Sequence, residues 1–327
     1  VAFATFSPDR KFVYAVSDAS GEEEIWRYAA DGSSQAQQLP RDGTTQRNGI
    51  FVAPDGKHLA HTDRRGRLWL LELASGTNAL IDDGGAAGNQ EYANVEWSPD
   101  SRYIAIVRAT GSDGHNRLGL YSLDRKQVAW LTSDKYDSGS PAFSPVGQWL
   151  RFLSDREFRL VYGAPWGDRN TGPYFDKRSR IYALALQADA RFPFQAKDEL
   201  QPAKDKDAGS KDDKAGGSDT PKALLWEGLA ERLYEVPVSA GNYSSLSADA
   251  QRLYFLDGAG WGPKTLRTLA YDDSKAKIDT YSEGVAEYTL AAKAKKLLLR
   301  TGGMGFDDPG KLYIVDAGAN APKELAE

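Results

Sequence analysis

Few residues in this chain could carry nucleophilic or acid–base chemistry. It has three histidines, His58, His61 and His115, and it has no cysteine. The segment 137–141 reads DSGSP and is the nearest match to the Gly-x-Ser-x-Gly turn that exposes a nucleophilic serine. It lacks the first glycine of that turn, and it leads into a strand rather than a helix. Because the turn is incomplete and the histidines are poorly placed, no serine–histidine site is predicted at Ser138 or elsewhere.

The sequence does not predict a metal site or a phosphate site either. His58 and His61 are three residues apart, which places them on opposite faces of a strand. The acidic segment DKD at 205–207 lacks the ligand spacing of a calcium loop, and its lysine opposes cation binding. The segment GGMG at 302–305 falls in a predicted hairpin turn and opens no helix. We therefore predict no catalytic residue, no metal ligand and no cofactor.

The elements that would have to position any functional residue come from a repeat. A four-residue phrase of the type apolar-Ser-Pro-Asp recurs at steps of 46, 45 and 46 residues, and two weaker copies follow that are 44 residues apart. The six copies are FSPD at Phe6, VAPD at Val52, WSPD at Trp97, FSPV at Phe143, LSAD at Leu246 and LAAK at Leu290. A period of about 40 to 50 residues fits four strands per unit. The repeat therefore predicts a β-propeller of four-stranded antiparallel blades, with six repeats visible.

Each copy predicts the same local structure. A strand ends at the apolar residue, Pro and Asp make a tight turn, and a second strand-like run follows, such as YIAIV at 103–107. Runs of this kind are bounded by Gly, Asp and Pro, and no stretch of convincing length has the apolar spacing of a helix. The predicted fold class is all-β. We expect Phe6, Trp97 and Phe143 to be buried between sheets, as large rings on a repeat usually are.

Composition and charge set limits on the partners. The net charge is −5, and no stripe of Arg or Lys is interleaved with aromatic residues, which argues against nucleic acid. No apolar run approaches the roughly 18 residues of a membrane span, so none is predicted. The absence of cysteine does not distinguish a cytoplasmic protein from a periplasmic one. Because the chain starts at Val1, five residues before the first repeat, we interpret it as a piece of a longer polypeptide.

Two insertions interrupt the fourth repeat. The first, 155–179, mixes cations with aromatic rings, and the second, 187–223, is rich in Lys, Asp and Gly. Within the second, 201–221 has no large apolar residue and is predicted to be disordered. Strand counting places the first insertion between the second and third strands of its blade and the second between the third and fourth, so we expect them on opposite faces. The whole chain, 1–327, is expected to form one propeller domain.

Three segments around these insertions resemble one protein family. They are FLSDREF at 152–158, RIYALALQADARFPF at 180–194 and EGLAERLYEVPVSAGNYSSL at 227–246. This series is similar to the second, larger propeller of tricorn-type proteases, and the repeat by itself resembles the broader group of TolB-like propellers. The resemblance implies a seven-bladed ring, in which one blade or part of it would precede Val1.

The resemblance also implies a function. In tricorn-type proteases the propellers precede a PDZ module and a core related to tail-specific serine proteases, and no catalytic residue belongs to the propeller. The implied role is a non-catalytic domain of a serine peptidase that guides or filters peptides or unfolded polypeptide. Its partners would then be those peptides and the PDZ and protease modules of the same chain, and a homo-oligomer of the full-length protein stays open.

The first strands of a propeller can offer backbone edges and side chains to an extended peptide. We assign substrate or partner contact to five residues in or beside the first insertion, because cations meet carboxylates and rings supply contact area: Arg156, Tyr162, Trp166, Arg169 and Tyr174. The alternative for this insertion is a lid packed on the blade. The alternatives for the chain are a TolB-like scaffold for a protein partner, or an independent hydrolase or lyase that uses carboxylates and His115.

Overall fold

The computed structural model describes residues 2–39, 45–84, 91–111, 114–160, 175–195, 224–260, 262–271, 276–291, 293, 295–302 and 310–322. These residues form twenty-two β-strands and one 3-10 helix, Leu229–Arg232. They include no helix that is long and apolar enough to cross a lipid bilayer. The prediction of an all-β fold is confirmed.

The strands form five antiparallel sheets in which neighbours along the chain are neighbours in space. The first sheet contains β1 (Ala2–Phe6), β2 (Phe12–Ser17), β3 (Glu24–Ala29) and β4 (Gln37–Leu39), and the second contains β5 (Arg47–Val52), β6 (His58–Asp63), β7 (Leu68–Glu72) and β8 (Asn78–Asp82). The third contains β9 (Asn94–Trp97), β10 (Tyr103–Ala109), β11 (Asn116–Ser122) and β12 (Gln127–Trp130), and the fourth contains β13 (Ser138–Phe143), β14 (Trp149–Asp155), β15 (Ser179–Ala185) and β16 (Leu233–Glu235). The fifth contains β17 (Tyr243–Ala248), β18 (Arg252–Asp257), β19 (Lys264–Ala270), β20 (Ile278–Ala291), β21 (Lys296–Thr301) and β22 (Lys311–Asp316). Four of the five sheets are thus four-stranded antiparallel blades, as predicted.

The chain divides into two compact units. The N-terminal unit consists of Val1–Phe143 and Phe152–Arg156, and the C-terminal unit consists of Ser144–Arg151 and Glu157–Glu327. The boundary runs through β14, so β13 belongs to the N-terminal unit and β15 and β16 belong to the C-terminal unit. One propeller domain over 1–327 stays a prediction.

The repeated phrase forms the first hairpin of a blade through its serine and aspartate side chains. The Ser98 hydroxyl donates to Asp100 Oδ1 (2.6 Å) and accepts the amide hydrogen of Tyr103 (2.9 Å). The same bonds recur in the first repeat between Ser7, Asp9 and Phe12 (2.6 and 3.0 Å), and Ser144 accepts from the amide of Trp149 (3.0 Å). A short polar side chain that bonds the backbone of its own turn fixes the turn, which explains why this phrase recurs.

The aromatic residue of the phrase is buried in two of the three places predicted. Trp97 and Phe143 are each 7% exposed, and Trp97 Nε1 donates to the Phe51 carbonyl of the preceding sheet (2.9 Å). The burial prediction was wrong for Phe6, which is 61% exposed. At Trp97 this position packs on the sheet that precedes it in the chain, and β1 belongs to the first sheet, so Phe6 has no such neighbour among the described strands.

The count of six separate blades is not confirmed, because the last two repeats share one six-stranded sheet. Strand β20 pairs with β19 from Ile278 to Val285 and with β21 from Val285 to Ala291. It therefore serves as the outermost strand of the fifth repeat and the first strand of the sixth. Gly284, with φ of +69°, lies where the partner changes. The predicted anchor Leu290 falls in the second half of this strand.

The two insertions interrupt the fourth sheet between the strands that the sequence predicts. The first separates β14 from β15, and the second separates β15 from β16. Of the first insertion, 155–160 and 175–179 are described, and of the second, 187–195. The predicted disordered segment 201–221 lies outside the described residues, and the placement of the two insertions on opposite faces stays a prediction.

Candidate functional site

Among the five predicted contact residues, the structure places one. Arg156 is half-buried, its Nε donates to Ser154 Oγ (3.3 Å), and its guanidinium carbon lies 5.4 Å from the centroid of the Tyr136 ring. A guanidinium at this distance from a ring face gains cation–π attraction. The other four residues, Tyr162, Trp166, Arg169 and Tyr174, lie outside the described part of the chain.

The base of the first insertion is a two-stranded ribbon that extends the β14–β15 hairpin. The Glu157 amide donates to the Arg178 carbonyl (3.1 Å), and the Asp176 amide donates to the Arg159 carbonyl (3.2 Å). An isolated bridge between Leu160 and Phe175 closes the described part. We call segments 156–160 and 175–178 the ribbon. Its backbone pairing continues the β14–β15 hairpin as far as Leu160 and Phe175.

Exposed apolar side chains lie on the ribbon. Phe158 and Phe175 meet edge to face with their ring centroids 5.6 Å apart. Phe158 is 56% exposed and Leu160 is 49% exposed. Rings that are already ordered by a partner offer contact area at little further cost in entropy. The ribbon can therefore contact an apolar segment of another polypeptide.

An ion-pair network ties the ribbon to its sheet. The Arg180 guanidinium donates to Glu157 Oε1 (2.5 and 2.8 Å) and to Glu235 Oε1 (2.6 Å), and the Tyr182 hydroxyl donates to Glu235 Oε2 (3.1 Å). Hydrogen bonding to Glu157, together with the charge of Glu235, raises the pKa of Arg180. These groups are partly exposed, so each pair stabilises by roughly 1 kcal/mol or less, and their main effect is to fix direction.

Asn242 fixes the other arm of the ribbon, and sequence reasoning missed it. Its side-chain nitrogen donates to Asp176 Oδ1 (2.7 Å), and its side-chain oxygen accepts from the Lys177 amide (2.9 Å). Next to it, Ser179 and Gly241 exchange two backbone hydrogen bonds (3.0 and 3.1 Å). A Cβ at Gly241 would collide with the Tyr243 ring, so a larger residue would not fit there. Only the position of Asn242 just before a strand hinted at this role.

The N-terminal unit brings the first strands of its sheets side by side. Trp97 Nε1 bonds the Phe51 carbonyl and so links β9 to β5, while Asn94 Oδ1 accepts from the Ser140 amide (3.0 Å) and links β9 to β13. Glu96 lies between these two contacts on β9 and is exposed to solvent. Desolvation nevertheless raises its pKa to about 7. Surrounding protein therefore limits the hydration of this carboxylate, although the residue reaches solvent.

A cleft of about 290 Å³ opens between β1 and β5 in the same unit. It is lined by 3–5 of β1, 48–51 of β5, the β6 residues 62 and 63, Gly66, and the segment 91–92 that leads into β9. We call it the β1–β5 cleft. Sequence reasoning missed it, because its walls come from three repeats.

The residues considered for catalysis have structural partners instead. Ser138 is buried, and its hydroxyl lies 3.2 Å from that of Ser154. His115 Nδ1 lies 2.9 Å from the Asp134 carbonyl oxygen. His61 is fully buried, with its Nε2 at 2.9 Å from Asn78 Oδ1. His58 Nδ1 lies 3.5 Å from Asp55 Oδ2. Among the described residues no three His, Asp or Glu side chains are grouped to hold a metal ion.

Comparison with known proteins agrees with the propeller fold. The chain is similar to tricorn protease homolog 1 of Streptomyces coelicolor, at 28% identity over 91% of this chain and 29% of that protein. It is similar to a tricorn protease homolog of Saccharolobus solfataricus, at 25% identity over 76% of this chain and 22% of that protein. The crystal structure of the tricorn protease superimposes with a TM-score of 0.71 and 17% identity, over 94% of this chain and 28% of that one.

These relatives are much longer than the chain, which spans less than a third of each. The sequence profile of the tricorn protease second β-propeller domain matches residues 2–306, which is most of the chain and includes both insertions. The chain therefore belongs to the family of tricorn protease second β-propeller domains.

Proposed function

We propose that this chain is the non-catalytic propeller of a tricorn-like serine protease, and that it guides or filters extended peptides toward the protease modules of the same polypeptide. Family membership supports a place within such a protease. The chain matches 29% of the Streptomyces relative, which leaves room in that protein for PDZ and protease modules.

The row of first strands in the N-terminal unit carries the guiding role. β1, β5, β9 and β13 are each the terminal strand of a sheet, so one backbone edge of each has no partner within that sheet. An extended peptide can add to such an edge through main-chain hydrogen bonds, which do not depend on its side chains. A guide has to accept many sequences, and backbone recognition gives that tolerance.

The ribbon supports the proposal from the C-terminal unit. Its direction is fixed by Asn242 and Arg180, and it bears the exposed Phe158 and Leu160. A fixed stem with apolar contact area suits transient contact with unfolded polypeptide, because little order has to be gained on binding.

The test compares long and short substrates in the full-length protein. Glu96→Arg places a long cation on β9, and Glu22→Arg, in the exposed turn before β3, is the matched control. We expect kcat/KM for a long unfolded polypeptide to fall several-fold in Glu96→Arg only, with short fluorogenic peptides unaffected. Equal losses on both substrates, or no loss on the long one, would contradict a guiding role.

A second function, a scaffold for a protein partner, is favoured by one surface. Leu298, Leu312 and Ile314 on β21 and β22 are 42%, 60% and 72% exposed. Leu298 and Ile314 lie opposite each other in the register, beside the Lys296–Asp316 ion pair (2.6 Å). Contiguous apolar groups with a charged border are typical of interaction surfaces. If this function is the right one, Ile314→Glu should weaken a protein complex while Glu96→Arg leaves the kinetics unchanged.

A further inference from the structure

Both strands of the β1–β5 cleft are irregular in or next to the residues that line it. The pairing of β1 with β2 shifts between Ala2 and Thr5, and the pairing of β5 with β6 shifts between Arg47 and Gly49. Phe3, in the first shift, has φ of +51°, a conformation that a bulky residue rarely adopts. Bulges of this kind are common beside functional sites, where they redirect side chains.

Part of the cleft is an apolar surface shaped by a glycine. A Cβ at Gly49 would lie 2.9 Å from Thr62 Oγ1 and 3.1 Å from the nearest atom of the Phe51 ring. The absence of a side chain at Gly49 therefore lets the Phe51 ring lie close to the β5 backbone. Phe3 lines the cleft on the β1 side and is 57% exposed. Two rings thus border a space suited to a large apolar side chain.

Hydrogen bonds hold the polar walls of the cleft in place. Asp63 accepts from Arg67 Nε (2.7 Å) and Trp69 Nε1 (2.9 Å). Burial opposes its ionisation, but the bonds from Trp69 and Arg67 outweigh burial and lower its pKa. Asp63 is therefore a charge that Arg67 already neutralises. On the other wall the Tyr92 hydroxyl donates to Asp82 (2.5 Å). Both walls are thus fixed before a ligand arrives.

One charge in the cleft has no counterpart. Glu91 is exposed and lines the cleft, and it makes no ion pair with any residue that the structure describes. Since Asp63 is matched by Arg67, the carboxylate of Glu91 sets the net charge of the described lining residues. Asn48, which also lines the cleft, can donate to and accept from a peptide backbone.

We propose that the β1–β5 cleft binds a large apolar side chain, aromatic or aliphatic, of an extended peptide that carries Lys or Arg beside it. The inference rests on the proposed function and adds a substrate class to it. The apolar side chain packs between Phe3 and Phe51, the neighbouring cation meets Glu91, and the peptide backbone runs along the free edge of β5. A cleft of about 290 Å³ accommodates one large side chain rather than a folded element.

The experiment measures binding of fluorescein-labelled Gly-Ser peptides that contain Phe-Lys, Ser-Lys or Phe-Glu at their centre, by anisotropy with the intact protein. The Phe-Lys peptide should bind about tenfold more tightly than Ser-Lys, because a ring is buried. It should bind roughly threefold more tightly than Phe-Glu, which is the strength of an exposed ion pair.

Two variants separate these preferences. Glu91→Gln should abolish the preference for Lys over Glu and leave the preference for Phe over Ser intact. Gly49→Ala should abolish the preference for Phe, because its methyl group displaces the Phe51 ring. Its control is Gly139→Ala on β13, where a Cβ would meet only Asn94 Oδ1 at 3.8 Å. A thermal melt checks that Gly49→Ala folds, and Glu91→Gln carries the test if it does not.

The proposal is overturned if the three peptides bind alike, or if both variants keep the wild-type preferences. Those results leave the guiding function standing if Glu96→Arg still slows long substrates. If instead the cleft preferences hold while Glu96→Arg has no effect on long substrates, the guiding function fails and the cleft assignment stands.

Discussion

The guanidinium of Arg151 lies over the ring of Tyr271, with its carbon 4.6 Å from the ring centroid. Arg151 is 2% exposed, and its Nε and Nη1 have no hydrogen-bond partner among the residues that the structure describes. Burial lowers the pKa of Arg151, and the facing Tyr271 ring acts in the opposite direction. Arginine stays protonated in proteins, so β14 buries a positive charge that no carboxylate of the described residues compensates.

Arg151→Met should therefore stabilise the protein. Methionine has a similar length and removes the uncompensated charge, so we expect the free energy of unfolding to rise by about 1–2 kcal/mol. Urea denaturation followed by tryptophan fluorescence measures the change. Arg252→Met is the control, because Arg252 already pairs with Asp279 (3.6 Å) and bonds Thr268 (3.3 Å), and its loss should destabilise by about 0.5 kcal/mol. A large loss of stability in Arg151→Met would contradict this prediction.

Trp97 and Phe6 occupy the same place in the repeated phrase and should respond differently to truncation. Trp97→Ala removes a buried ring and its bond to Phe51, which should cost about 3–5 kcal/mol through lost burial and a cavity. Phe6→Ala should change stability by less than about 0.5 kcal/mol, since the ring is exposed. Similar unfolding midpoints for the two variants would contradict the assignment of Trp97 to the core.

The repeat predicted the hairpins well because their determinants are local. Ser98 and Asp100 bond groups within five residues of themselves, so the sequence contains the whole cause. The exposure of Phe6 and the continuity of β20 depend on neighbouring sheets instead. Residues 278–291 hold one glycine and no proline, so the strand continues through the register shift at Val285 and Glu287, where one repeat passes into the next.

The candidate sites were harder to predict from the sequence for the same reason. The cleft joins Phe3, Asn48 and Glu91, which are more than forty residues apart from one to the next. The ribbon depends on Asn242, which is far along the chain from its partner Asp176. Such contacts follow from register and packing between strands, and the composition of the sequence does not predict them. By contrast, the aromatic and cationic character of the first insertion was visible in the sequence itself.

Glu96 should make stability depend on pH. Its pKa is raised from 4.5 to about 7, so between these values the folded state holds a proton that the unfolded chain has lost. The free energy of unfolding should therefore fall, through this group, as the pH rises from about 4.5 to 7, and level off above that. Glu96→Gln should remove this part of the slope, and Glu22→Gln is the control. Urea denaturation at pH 5 and pH 8 tests this prediction. If the free energy of unfolding changes by the same amount between these pH values in the wild type and in Glu96→Gln, the prediction is refuted.

Replacing 201–221 by a short Gly-Ser bridge should leave folding intact. The segment offers no apolar surface to a core, and each halving of a loop changes its closure free energy by only about 0.6 kcal/mol. The segment that follows the second insertion behaves differently, because Arg232 donates to the carbonyls of Ala185 (3.0 Å), Glu227 (2.7 Å) and Leu225. Arg232→Met should cost about 1–2 kcal/mol. Thermal melts of both variants test these expectations. A large drop in the melting temperature of the bridge variant would show that 201–221 docks onto the body.

Two variants in the first insertion distinguish contact with substrate from packing on the blade. In the full-length protein, Trp166→Ala and Arg169→Ala should each slow cleavage of long polypeptides several-fold while short fluorogenic peptides and the melting temperature stay unchanged. The reason is that a cation and a ring beyond the ribbon meet the carboxylates and apolar side chains of a passing chain. Asn242→Ala is the comparison, since it frees Asp176 and Lys177 at the ribbon base and should lower the melting temperature. If Trp166→Ala or Arg169→Ala instead lowers the melting temperature and affects both substrate lengths equally, the insertion is a packed lid.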